Sequence, residues 1–200
     1  YTPPAEFAKH IPDTLVAKLS VGSEQPERGA KLDPQARAYL GEAAYADAQL
    51  GLILDELKRQ GLEERTLVIV VGDHGEVFDA RHNHYVLALQ QPTLYHHGWS
   101  AYDEILRVPL VLSMPGRLPR GVQVKAQVRL PDVAPTVLDV LGMSSKRAEL
   151  PGGTSAYGRT LLPLVLGPKP GEPTERPAFV EGQNVRALRA SGYLYLRRTD

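Results

Sequence analysis

The sequence predicts an α/β fold: a mixed, mostly parallel sheet flanked by helices, with a small antiparallel β piece at the C-terminal end. Three observations carry that prediction. A long series of apolar residues at helical spacing leads into the unbroken apolar stretch TLVIVV at Thr66 to Val71, the helix-to-strand step of an α/β protein. A second apolar stretch, Val108 to Ser113, closes at Met114-Pro115-Gly116. The tail then changes to short β-rich pieces at hairpin spacing.

Taken in order, residues 1–30 have loop composition, with Pro3, Pro4, Pro12, Pro26, Gly22 and Gly29, and only short apolar pieces such as Thr14 to Leu19. An irregular surface excursion is expected there. Asp33-Pro34 supplies an N-cap followed by proline at the first helical position, and Ala36, Tyr39, Leu40, Ala43, Ala44, Leu50, Ile53, Leu54 and Leu57 recur at helical spacing. The helix should run from Pro34 to Arg59, with Lys58 and Arg59 in its last turn and Gly61 ending it. Apolar residues without polar alternation suit a strand covered on both faces, so Thr66 to Val71 and Val108 to Ser113 are expected to be buried strands. Between them lie a polar loop, Glu76 to Trp99, and a short helix or turn, Tyr102 to Leu106. Val122 to Val128 alternates as a strand does, and Pro131 to Leu141 fits a helix closed by Gly142. Ser144 to Gly158 and Gly167 to Pro177 read as loops around the apolar segment Thr160 to Leu166. Ala178 to Glu181, Val185 to Ala190 and Tyr193 to Arg197 read as strands, the last two joined by a turn at Ser191-Gly192.

Composition narrows the functional classes. Two hundred residues with 42% hydrophobic content suffice for a core and are compatible with one α/β domain. Lys+Arg and Asp+Glu balance at 23 each, so no net field favours nucleic acid or an anionic membrane. Cysteine is absent, which excludes disulfides, thiolate ligands and a cysteine nucleophile within these residues. No apolar stretch approaches the roughly 20 residues of a membrane span. The opening Tyr1-Thr2-Pro3-Pro4 reads as the middle of a loop, and a preceding part is expected.

The chemistry gathers after the first strand. Gly72-Asp73-His74-Gly75 places a carboxylate and an imidazole side by side where ligands of α/β sheets collect, between glycines that permit a sharp turn and close approach. Asp73 and His74 are therefore candidate metal ligands; the alternative is a turn-capping carboxylate beside a backbone-satisfied imidazole. Oxygen and imidazole nitrogen together suit Mn, Zn or Fe and leave the metal unnamed. Five of the six histidines lie between His74 and His97. His82 and His84 form an H-x-H pair that reads as solvent-facing. One of His96 and His97, just before the second strand, is expected to turn toward Asp73. Arg107 is expected to pair with a carboxylate, and Tyr102 to pack.

The segments AYLGEAAYADAQLGLILDELKRQGLEERTLVIVVGDHGE (Ala38 to Glu76) and HHGWSAYDEILRVPLVLSMPG (His96 to Gly116) resemble the C-terminal part of the sulfatase catalytic domain in the alkaline phosphatase superfamily. LPDVAPTVLDVLG (Leu130 to Gly142) and Gly158 to Leu166 continue the likeness. The resemblance implies a hydrolase of sulfate esters, on a small molecule or a glycan. It implies Asp73 and His74 as ligands of a divalent cation, usually Ca, with Mn and Zn as alternatives. It also implies His97 as the residue that meets the transferred group or the leaving oxygen. The family's nucleophile is a formylglycine in a C/S-x-P-x-R motif; that motif and the paired aspartates completing the metal shell do not occur in this sequence, so both are expected outside it. Residues 1–166 would be a partial catalytic domain and 167–200 the start of a small C-terminal β subdomain. Family habit implies an extracytoplasmic location. Phosphodiester or phosphonate hydrolases and phosphoethanolamine transferases of the same superfamily are the nearest alternative, and a non-catalytic cation-binding relative is the alternative of another class.

Overall fold

In the computed structural model, which describes residues 1–19, 33–82, 85–86, 91–92, 95–143, 158–167, 176–190 and 192–198, the longest element grows from the Asp33-Pro34 signal. Two short helices precede it, α1 (Ala5–Lys9) and α2 (Asp13–Leu19), and α3 spans Pro34–Arg59. The Asp33 carboxylate accepts from the Gln35 amide at 2.8 Å, Pro34 opens the helix, and Gly61 follows it at φ 67°. Expectations for residues 20–30, His84, the loop at 144–157, the turn at 168–175 and Ser191 fall outside the described residues.

The chain forms two compact units. The first comprises residues 1–66 and 70–111. Here the irregular start expected from composition is corrected, because α1 and α2 both pack on α3. Gly41 is the reason for the close approach of α1: a Cβ there would lie 2.9 Å from Pro3 and 3.1 Å from the Ala8 backbone. Phe7 meets Tyr45 edge-on at 5.2 Å, and Arg37 holds α2 through the Ile11 carbonyl at 2.6 Å and the Asp13 carboxylate. Proline and glycine content marked the joints of this segment and concealed its helices.

The first strand, β1, is Val68–Val71; the loop after it contains the short antiparallel pair β2 (Tyr85–Val86) and β3 (Gln91–Pro92). Helix α4 (Asp103–Leu106) then leads into β4 (Leu110–Ser113), which pairs with β1 in a two-stranded sheet. The Gly72 amide donates to the Pro109 carbonyl at 3.1 Å, so the end of β1 meets the beginning of β4. The mostly parallel sheet expected from the apolar stretches is not shown, since the other described ladders are antiparallel. Full burial of these strands is corrected as well: Val71 is 40% exposed and Val111 56%. With β4 as its one described neighbour, β1 keeps much of its surface open.

The second unit comprises residues 67–69 and 112–200. A 3-10 turn at Leu130–Asp132 feeds α5 (Val133–Val140), ended by Gly142 at φ 71°, and α6 is Leu162–Leu166. Asp132, fully buried, organises the unit. Its carboxylate accepts from the Arg159 amide at 2.8 Å and the Arg129 guanidinium at 3.0 Å, and faces the Arg176 guanidinium at 3.2 Å. The strand expected at Val122 to Val128 does not form. Instead, the Gln127 side chain donates to the carbonyls of Arg176 and Arg189 at 2.6 and 2.9 Å, linking this segment by side chain rather than by a backbone ladder. The tail is as expected: β5 (Ala178–Glu181), β6 (Val185–Ala190) and β7 (Tyr193–Arg198) form an antiparallel sheet in that order, with Gly192 at φ 77° in the β6–β7 turn. Val185 and Ala187 point to its buried face, and Phe179, Tyr193 and Tyr195 to the exposed one.

Candidate active site

The site lies wholly in the first unit and begins where β1 ends. Gly72 is tight against Val108, its Cβ position 3.1 Å from the Val108 Cβ, and the chain bends at Asp73. The next residues are held by backbone bonds to α4: the Gly75 amide donates to the Ile105 carbonyl at 2.8 Å and the Glu76 amide to the Glu104 carbonyl at 3.2 Å. Val77 then pairs with the incoming chain, donating to the His96 carbonyl at 3.2 Å and accepting from the Tyr95 amide at 2.8 Å. That pairing carries His97 to His74. Their rings stack with centroids 3.6 Å apart and planes 26° from parallel. Of the two adjacent histidines, His97 makes this contact.

Asp73 and His74 present a usable donor pair. Asp73 Oδ1 accepts from the His74 amide at 2.9 Å, and its side chain is otherwise 89% exposed. The His74 Nδ1 lies 2.8 Å from the Gly75 carbonyl, which makes Nδ1 the protonated nitrogen and leaves the Nε2 lone pair free, the arrangement of a metal-ligating histidine. Asp73 Oδ2 and His74 Nε2 are 3.7 Å apart. That separation lets both atoms enter the coordination shell of one divalent cation. The pair therefore fits two places of such a shell. Among the described residues no group of three or more His, Cys, Asp and Glu side chains surrounds one point.

Two carboxylates of this site were not singled out from sequence. Glu76, immediately after Asp73-His74-Gly75, is nearly buried; Oε2 accepts from the Tyr1 hydroxyl at 2.5 Å, and Oε1 lies 3.5 Å from His97 Nδ1. Burial, reinforced by Glu76, holds the Tyr1 hydroxyl protonated far above its ordinary range. Tyr1 also meets Tyr39 edge-on at 5.2 Å, and Tyr39 meets Phe78 at 4.7 Å. Glu104 is the second: Oε2 accepts from the Phe78 and Asp79 amides at 3.1 and 3.0 Å, while Oε1 meets His82 Nδ1 at 2.8 Å. His82 is thus not the solvent-facing histidine its polar surroundings suggested; its ring stacks on Tyr102 at 3.7 Å and 10°. Tyr102 packs and Arg107 pairs with Asp103 at 3.9 Å, both as expected. The signal available for Glu76 was its place one glycine after the Asp-His pair; for Glu104 it was membership of the segment His97 to Glu104 that carries the family resemblance.

Comparison with known proteins covers this part of the chain. The family model described as Sulfatase matches residues 6–143. An ulvan-active sulfatase of Formosa agariphila is 30% identical over 204 residues, covering 96% of this chain and 35% of that protein. Human arylsulfatase K is 36% identical over 126 residues, covering 63% of this chain and 20% of its own length. An endo-4-O-sulfatase of Bacteroides thetaiotaomicron is 26% identical over 164 residues, with 82% and 26% covered. The chain thus spans about a third or less of these relatives. A solved structure from work on the metabolism of multiple glycosaminoglycans by Bacteroides thetaiotaomicron superposes with a TM-score of 0.67 at 22% identity. It covers 98% of this chain and 39% of that one, a likeness of fold.

Proposed function

Because the chain belongs to the sulfatase family, we propose that it forms the cation-binding and leaving-group side of a metal-dependent hydrolase of sulfate esters. The observation that carries this reading is the 3.7 Å pairing of Asp73 Oδ2 with His74 Nε2, whose ring stacks on that of His97. Asp73 and His74 would hold a divalent cation, calcium first and manganese or zinc as alternatives, and such an ion supplies Lewis-acid polarisation of the sulfate oxygens. His97 in its protonated form, in which both ring nitrogens carry a proton, would donate a hydrogen bond to the departing oxygen or the transferred group. The nucleophile, a formylglycine, and the remaining ligands belong to sequence beyond these 200 residues. Strands beyond them would likewise complete the mostly parallel sheet. Residues 167–200 would open a small C-terminal β subdomain.

The names of the ulvan-active and endo-4-O relatives make a sulfated glycan the substrate class to try first. Family habit places such an enzyme outside the cytoplasm. No helix of the described residues is long and apolar enough to cross a membrane.

Thermal unfolding with and without calcium or manganese tests the cation, because a ligand of the folded state raises stability by RT ln(1 + [L]/Kd). In an enzyme that carries the complete shell, a cation-dependent rise that disappears in Asp73→Ala and His74→Ala supports the reading; no rise with either ion sinks it. The 200-residue chain alone is expected to show no sulfatase turnover, measured with a chromogenic aryl sulfate.

A further inference from the structure

Glu76 is a buried carboxylate with an oxygen to spare. Its side chain is 8% exposed; Oε2 accepts the Tyr1 hydroxyl, and Oε1 is buried without a hydrogen-bond partner among the described residues. A buried carboxylate oxygen left unpaired is costly unless a donor is close. The group beside it is the His97 Nδ1 at 3.5 Å. His97 is otherwise placed by its stack on His74; its Nδ1 edge faces the buried carboxylate, while the side chain as a whole is 48% exposed. Which nitrogen of a histidine carries the lasting proton is set by the hydrogen bond that the other edge makes.

We propose that Glu76 is the positioning residue of His97: its Oε1 takes the Nδ1–H, leaving Nε2 as the nitrogen that meets the reacting group. Tyr1 makes this possible by occupying Oε2, which turns Oε1 toward the ring. The arrangement follows the logic by which a buried acid orients a catalytic imidazole, without itself touching substrate. It deepens the sulfatase reading and rests on it for the identity of the reacting group. A purely structural Glu76, present only to anchor Tyr1, would leave the His97 tautomer to solvent.

The two roles separate in the ring nitrogens. Long-range proton–nitrogen spectra of the uniformly labelled chain, at about pH 8 where an ordinary histidine is neutral, report which nitrogen of His97 is protonated. The wild type should show Nδ1–H. In Glu76→Gln the Tyr1 hydroxyl retains the amide oxygen, the amide NH2 then faces Nδ1, and the proton should move to Nε2. Nε2–H in the wild type, or the same tautomer in both proteins, overturns the proposal; the wild-type spectrum alone suffices for that if the variant does not fold. Where the complete enzyme is assayed, Glu76→Gln should lower kcat on the order of tenfold or more with KM little changed; a change confined to KM overturns it. Failure of the calcium response with the tautomer switch intact would sink the cation reading and leave the positioning role supported.

Discussion

Gly75 has no room for a side chain. A Cβ built there would run into the Glu104 carbonyl oxygen, and its amide is already committed to the Ile105 carbonyl. Backbone, unlike a flexible side chain, yields little, so Gly75→Ala should destabilise the first unit by roughly 1–3 kcal/mol and separate His74 from His97. Urea unfolding gives the first quantity and histidine ring shifts the second; an unchanged midpoint would mean that α4 moves aside at no cost. Asp132 is the corresponding point in the second unit. Removing its carboxylate leaves Arg129 and Arg176 facing a buried void, and Asp132→Ala should cost about 3–5 kcal/mol, as breaking a buried ion pair does. A loss below about 1 kcal/mol, the scale of an exposed pair, would show that water reaches those guanidinium groups.

At the scale of elements, Asp33 does two jobs with one carboxylate. Oδ1 caps α3 through the Gln35 amide, and Oδ2 accepts from the Tyr95 hydroxyl, so the start of the long helix is tied to the chain that delivers His97. Tyr95 itself holds φ at 60°, a conformation that a non-glycine residue keeps only when its surroundings require it. Asp33→Ala should therefore lose more than the roughly 1 kcal/mol of an ordinary cap, whereas Tyr95→Phe should lose only the second bond and leave the helix start intact. Denaturation of both variants, with helix content followed by circular dichroism, distinguishes them. Equal losses would show that the cap contributes nothing beyond the tyrosine contact.

For the whole molecule, the acidic limb of stability follows from two carboxylates. The Arg81 side chain, hydrogen-bonded to Asp79, lowers that carboxyl to about 2. Burial by itself would raise the Asp132 carboxyl, but the Arg129 hydrogen bond, the Arg159 amide and the Arg176 charge outweigh it and hold it below its ordinary value. Both groups thus bind protons less readily folded than unfolded, where an aspartate titrates near 3.9. Their stabilisation is complete above about pH 4 and drains away as the pH falls toward 2. The urea midpoint should accordingly be flat at mildly acidic pH and drop below about pH 4, and the drop should shrink in Asp132→Asn. A midpoint independent of pH across that range would contradict the assignment.

Local chain order determined much of this protein. The Asp33-Pro34 start and Gly61 stop of α3, the antiparallel strands of the tail, and the Asp-His pair at the end of β1 depend on residues adjacent in sequence, and each was legible there. So was the family, which rests on contiguous motifs. The helices α1 and α2 were not, because their apolar residues are few and their stability comes from packing on α3 through Gly41. Nor were the partners of Glu76 and Glu104, whose chemistry depends on which distant backbone arrives beside them. The bonds between Val77 and residues 95–96 bring His97 onto His74 and Glu76, while Glu104 meets His82 across the loop. Sequence alone nominated Asp73 and His74 as candidate ligands; tertiary structure decided which side chains stand beside His97, because that depends on contacts between residues that the chain itself keeps apart.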